Sequence, residues 1–166
     1  MGACTTVIHA ISLYDAVLFV HILAVVVAFG VTFTYGLLDA CARRAGIADM
    51  VALHRFQVFL SRRLITPAMV VVLVAGLYLT FDGPYELGDP WIGATLTILI
   101  VIFGFVGAVL TPAERRMLAI AQHGAQAGGG LGDEYAAVAR RYAACGGLVS
   151  LLVVVAIFLM TVKPGA

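Results

Sequence analysis

Four apolar stretches divide the chain, and polar connections separate them. They cover residues 14–38, 64–81, 91–111 and 145–162. Within the first, His21 and a few hydroxyls are the only strongly polar members. A strand facing lipid alternates apolar with polar residues, whereas Leu148, Val149, Ser150, Leu151, Leu152, Val153, Val154 and Val155 run on without alternation. A bilayer core needs about 20 apolar residues at helical rise. The pattern therefore predicts an all-α integral membrane protein, an antiparallel bundle of four transmembrane helices. Its helices are expected over about 12–42, 49–82, 90–124 and 133–162 of a single domain spanning 1–166.

The connections add detail. Between residues 48 and 61, Met50, Leu53, Phe56, Val58 and Leu60 are interleaved with Arg55 and Gln57, which predicts an amphipathic lead-in to helix 2. Glu114, Arg115, Arg116, Met117 and Leu118 continue helix 3 in the same way. Gly128, Gly129, Gly130 and Gly132 mark the turn before helix 4, and Asp133 is expected to cap that helix. Asp82, Gly83 and Pro84 end helix 2. Pro67 removes a ladder hydrogen bond near the start of helix 2, so a bend is expected there.

Composition narrows the class. Hydrophobic residues make up 63% of the 166 and charged residues 11%, and the mean hydropathy is +1.07. A soluble fold needs more polar surface than this. A soluble enzyme domain, a disordered chain and a free nucleic-acid binder are excluded, so the expected partner is the lipid bilayer, with no nucleic acid. The net charge of +1 says little, but its placement says more. Arg43, Arg44, Arg55, Arg62 and Arg63 lie in one connection and Arg115, Arg116, Arg140 and Arg141 in another, leaving Lys163 alone elsewhere. The positive-inside rule makes those two connections cytoplasmic and puts both termini outside. No basic residue precedes Arg43 and the first apolar run is long, so a secretory signal is not expected.

Tyr14, His21, Ala28 and Tyr35 recur every seven residues and share one face of helix 1. Two readings of that face stand side by side. One is a helix–helix seam with His21 hydrogen-bonded inside it. The other is a ligand or redox site, since ionisable groups within membranes are costly and often functional. Gly104 and Ala108 on helix 3, and Gly146 and Ser150 on helix 4, are spaced for close helix packing, within the bundle or in a homo-oligomer. His9, His54 and His123 fall outside the apolar stretches. At about 1.5 Å per residue, His9 and His21 are too far apart to share a metal on one helix. Cys41 and Cys145 lie near the arginine-rich side and read as small packing residues. Nucleophilic and zinc motifs are absent, so catalytic residues are unassigned.

Two segments resemble a known family. Helix 1 reads His21-Ile22-Leu23-Ala24-Val25-Val26-Val27-Ala28-Phe29-Gly30, and helix 2 reads Arg62-Arg63-Leu64-Ile65-Thr66-Pro67-Ala68-Met69. Gly76-Leu77 and Pro90-Trp91 follow in order. Together they resemble the four-helix membrane protoporphyrinogen oxidases of bacteria and the copper-resistance D-type membrane proteins. The resemblance covers helices 1 to 3. It implies a bacterial cytoplasmic membrane, and haem b held through His21 as axial ligand, with Ala28 and Tyr35 on the same face and no metal site apart from the haem iron. That family carries a second histidine and a lysine early in helix 3, where this chain has Gly93 and Thr95. The expected activity therefore leans away from an oxidase.

Two functions follow from these observations. The first is a haem- or porphyrin-associated membrane protein using His21. The second is a non-catalytic structural or accessory subunit of a larger membrane complex, without a cofactor. Metal transport ranks last, because helices 2 and 4 offer few intramembrane ligands beyond Met69, Tyr78 and Met160.

Overall fold

A computed structural model describes residues 12–84, 86 and 88–164. Four helices are long and apolar enough to cross a membrane: α1 (Leu13–Ala45), α2 (Ile47–Asp82), α3 (Pro90–Gln126) and α4 (Asp133–Val162). At about 1.5 Å per residue they run roughly 45–55 Å, against a hydrocarbon core of about 30 Å. All four therefore project well beyond the apolar layer, and the arginines cluster on the projecting ends. His9 lies outside the described residues.

Local chemistry sets the helix ends. At the start of α1, the Ser12 hydroxyl accepts from the Asp15 N–H and the Asp15 carboxylate accepts from the Ser12 N–H, both at 3.1 Å. This reciprocal cap satisfies two donors that the first helical turn would otherwise leave unpaired. Pro90 opens α3, where its missing N–H costs nothing. Asp133 does not cap α4, since Gly132 holds the cap position and Asp133 is the first helical residue. Its charge still faces the positive end of the helix dipole. Gly46 alone separates α1 from α2, at φ 133°. A side chain there would be strained, and the glycine lets the chain reverse in a single residue.

Three of the four helices depart from α geometry at one level. In α1 the turn Thr32–Thr34 is 3₁₀. In α2 and α3, Ser61–Ile65 and Val106–Leu110 are π turns. Each π turn runs directly into the same tripeptide, Thr66-Pro67-Ala68 in α2 and Thr111-Pro112-Ala113 in α3. A proline ring collides with the carbonyl four residues back. The wider turn relieves that collision, and Thr66 N–H bonds five residues back to the Ser61 carbonyl. The irregularity expected at Pro67 is therefore a π turn, and Pro112 repeats it.

The packing changes at this level. Leu13–Gly30 of α1 lies along Thr66–Asp82 of α2, while Ile47–Leu60 of α2 lies along Thr111–Gln126 of α3. The Pro90–Phe105 part of α3 lies along α4. One core cluster gathers Ala28, Phe29, Tyr35, Ile65, Met69, Ile102, Val149 and Val153. A second, at the arginine-bearing end, gathers Ala42, Met50, Met117, Tyr135 and Ala139. Large apolar side chains cover the outside, with Phe19 66% exposed and Ile100 63% exposed. Such a surface is stable against lipid and not against water. Gly104, Gly107 and Ala108 lie on that outer surface, so they form no seam within this chain.

A candidate ligand cavity at the arginine-bearing end

The inward stripe of α1 holds His21, Ala28 and Tyr35, all buried, with Tyr14 half-buried. The three candidate residues do not converge on one site. His21 borders a cavity of about 60 Å³ with Val72, Gly76, Thr80, Trp91, Ile92 and Thr95. Ala28 and Tyr35 border a separate cavity of about 290 Å³ further toward the arginines.

Around His21 the packing is close. A Cβ built on Gly76 would stand 3.1 Å from the imidazole Cε1, so the glycine is what admits the ring between α1 and α2. The Val72 main chain lies beside the ring, and Nδ1 finds no hydrogen-bond partner among the described residues. Thr95, where the resembling family carries a lysine, bonds its hydroxyl back to the Trp91 carbonyl at 2.7 Å and so satisfies itself within α3. Gly93 is exposed. Sites that hold drug-sized ligands measure about 300–1,000 Å³. A porphyrin does not fit the 60 Å³ beside His21 in this packing. Gly76→Ala is expected to push the ring a few tenths of an ångström and to destabilise the protein by about 1 kcal/mol, the low end for an overpacked core. Unfolding in mixed micelles, followed by circular dichroism, checks the value.

The larger cavity is built from all four helices. Its apolar floor is Ala28, Phe29, Ile65, Met69 and Val149, and the three irregular turns contribute Thr32, Ser61, Ile65, Val106 and Leu110 to its walls. Its opposite wall is polar. Glu114 of α3 is only 6% exposed. One of its oxygens accepts from the Tyr142 hydroxyl of α4 at 2.9 Å, while Oε2 has no hydrogen-bond partner. The Ser61 side chain lies within hydrogen-bonding reach of the same carboxyl, just outside the geometry of a formed bond to Oε2. Tyr35 Oη and Asp39 Oδ1 are likewise unpartnered. The other Asp39 oxygen accepts from Arg43 Nε at 2.7 Å, and the Arg43 guanidinium lies over the Tyr135 ring, 5.3 Å from its centroid.

His54 closes this wall. It is 1% exposed, with Nδ1 2.7 Å from Gln57 Oε1 and Nε2 2.7 Å from the Tyr135 hydroxyl. With the Gln57 carbonyl as acceptor, the neutral ring carries its proton on Nδ1, and Tyr135 donates to Nε2. A chain Gln57–His54–Tyr135 thus ties α2 to α4. Both ring nitrogens are occupied, so His54 offers no free ligand atom to the cavity.

The polar residues of this wall were not singled out by the hydropathy pattern. A signal exists in the helical spacing. Met50, His54, Gln57, Ser61 and Ile65 fall at steps of four, three, four and four along α2, and all are buried. Tyr135, Ala139, Tyr142, Gly146, Val149 and Val153 follow the same rhythm in α4. These are core stripes in which polar residues replace some apolar ones, so a hydrophobicity count passes over them.

A family model described as "Predicted integral membrane protein (DUF2269)" matches residues 15–164. The chain belongs to the DUF2269 family. The match takes in all four helices and both cavities of this DUF2269 protein. No curated protein and no solved structure matches it. Among the described residues no cluster of histidine, cysteine and carboxylate side chains could hold a metal ion, and Cys41 and Cys145 are free thiols.

Proposed function

We propose that this DUF2269 protein is a small-molecule-binding membrane protein whose ligand occupies the 290 Å³ cavity. The supporting observation is the wall of unpartnered atoms. Glu114 Oε2, Tyr35 Oη and Asp39 Oδ1 all border the same space. Buried polar atoms without partners are expensive, about 1–3 kcal/mol each. A ligand that satisfies them recovers that cost. Gly146 supplies the test, because it borders the cavity and a Cβ there meets nothing within 4 Å. Gly146→Leu should fold and fill the space. Detergent-purified parent should be stabilised against heat by at least one of hexylammonium, hexanol or hexanoate, and the Gly146→Leu variant by none. Equal response in both proteins to every compound sinks the reading.

The haem reading rests on the family resemblance and on the buried His21. It requires α1 and α2 to part around Gly76. In that opened arrangement His21 would offer one neutral imidazole, which suffices for many haem proteins. Reconstitution with haemin, comparing the parent with His21→Ala, decides it: a Soret band present only in the parent establishes the reading. A band equal in both, or absent from both, removes it.

For orientation, we infer that the arginine-bearing end, and the larger cavity with it, faces the cytoplasm of a bacterium. The nine arginines at that end against Lys163 at the other support this. A single cysteine at position 129 should be labelled by a membrane-impermeant maleimide only after the cells are opened. Labelling in intact cells reverses the orientation.

A further inference from the structure

Resting on the reading of the larger cavity as a binding site, we propose that its ligand is a small organic ammonium ion, held with its charged nitrogen against Glu114.

The unpartnered atoms carry the argument. Two are carboxylate oxygens, Glu114 Oε2 and Asp39 Oδ1, and the third is the hydroxyl oxygen of Tyr35. A carboxylate only accepts hydrogen bonds, and a hydroxyl can accept as well. A primary ammonium offers three N–H donors and no acceptor. The kind of atom matches, since each of the three can accept from an ammonium. A carboxylate ligand would set a further negative charge against Glu114 and Asp39.

Charge points the same way. Asp39 is neutralised by Arg43, at 2.7 Å. Glu114 has no ion pair among the described residues. Arg115 is close enough to act on it electrostatically but makes no salt bridge with it. Tyr142, Glu114, Tyr35 and Asp39 all border the cavity, and the Tyr142 hydroxyl bonds to Glu114 at 2.9 Å. A buried carboxylate without a counter-charge is costly, and a cation seated against it removes that cost. Tyr35 and Tyr142 also line the cavity, and aromatic rings attract ammonium groups. Arg43 does not fill this role itself, because its guanidinium is engaged by Asp39 and Tyr135. The apolar floor then receives the organic part of the ligand. At about 290 Å³ the cavity suits a small molecule and is short for a long acyl chain.

The same ammonium can arrive on a free amine or on an aminolipid headgroup, so the experiment carries both. Calorimetric titrations of the detergent-purified protein use hexylammonium, hexanol and a short-chain phosphatidylethanolamine, with the parent, Glu114→Gln, Tyr35→Phe and Gly146→Leu. Hexylammonium, or the phosphatidylethanolamine if the source is the bilayer, is expected to bind the parent at least tenfold more tightly than hexanol does. Glu114→Gln should lose that tenfold preference, and Tyr35→Phe, which keeps the ring and removes the acceptor, should lose part of it. If hexanol binds the parent as tightly as both ammonium compounds, the charge assignment is overturned while the cavity reading stands. If the preference survives in Glu114→Gln and Tyr35→Phe alike, the ammonium does not sit at Glu114 and the proposal fails. If no compound separates the parent from Gly146→Leu, the cavity reading falls with it.

Discussion

Replacing His54 with alanine is expected to destabilise the protein more than any single apolar truncation in its core, by about 2–4 kcal/mol. The ring is 1% exposed and bonds on both sides, to Gln57 and to Tyr135 at 2.7 Å. Truncation leaves Gln57 Oε1 and the Tyr135 hydroxyl buried and unpaired, at about 1–3 kcal/mol each. The Tyr135 hydroxyl can turn to the neighbouring Asp39 carboxylate, which holds the loss to the lower half of the summed range. The tie joins residues 81 positions apart, so its loss loosens α2 from α4. Reversible unfolding in mixed micelles measures the change. Tyr135→Phe should cost well over its usual amount in the parent and almost nothing in His54→Ala, because its partner is already gone. Additive losses in the double variant would show that the two side chains do not act as a pair.

Ile102→Ala is expected to cost about 2 kcal/mol, at the bottom of the ~2–5 kcal/mol seen for such truncations in soluble cores. Ile102 is 1% exposed and packs with Met69, Val149 and Val153 where the four helices meet. In water, a truncation forfeits both the transfer of the side chain out of water and the contacts around it. In a bilayer the alternative environment is already apolar, so only the contacts are forfeited. The ranking of the two variants therefore separates the forces at work. If Ile102→Ala proves the costlier, burial from water dominates this bundle and the polar tie is secondary. The same unfolding measurement on both proteins decides the order.

The polarity of His21 within an apolar helix marks it out before any resemblance does, and the structure gives that residue a place in packing. Its ring sits in the notch left by Gly76, a contact between helices 55 positions apart in sequence. Nothing in the composition of either helix indicates which glycine faces which imidazole. The seven-residue spacing along α1 did identify a buried stripe, because a helix repeats its face at about that period. It did not show that two cavities interrupt the stripe, with His21 on one and Ala28 and Tyr35 on the other. Cavities arise where neighbouring helices fail to fill space, and one helix alone carries no record of that.

Glu114 and Tyr142 show the limit most clearly. In sequence each belongs to an arginine-bearing extension where polar residues are ordinary, and they are 28 positions apart. Their meeting depends on α3 and α4 turning these faces toward each other, and on the π turn at Val106–Leu110, which shifts the register of everything after it in α3. Pro67 reads in the sequence as a bend, and the repeat of Thr66-Pro67-Ala68 at Thr111-Pro112-Ala113 carries no signal of its own in the hydropathy pattern. That both produce a π turn at the level of one cavity is not legible there, since a proline can be met by a bend or a wider turn and the packing selects between them.

By itself, the sequence determined the four spans, their all-helical character and the gathering of arginine on one side. Those properties are sums over neighbouring residues, because the free energy of placing a segment in lipid depends on its own side chains and on internal backbone pairing. The tertiary structure alone decided that His54, Gln57 and Tyr135 form a tie, that Glu114, Tyr35 and Asp39 face one cavity, and that His21 stands apart from it. Those facts depend on the rotation and register of each helix against its neighbours. In an apolar solvent, close packing and hydrogen bonding set these, more than hydrophobicity does.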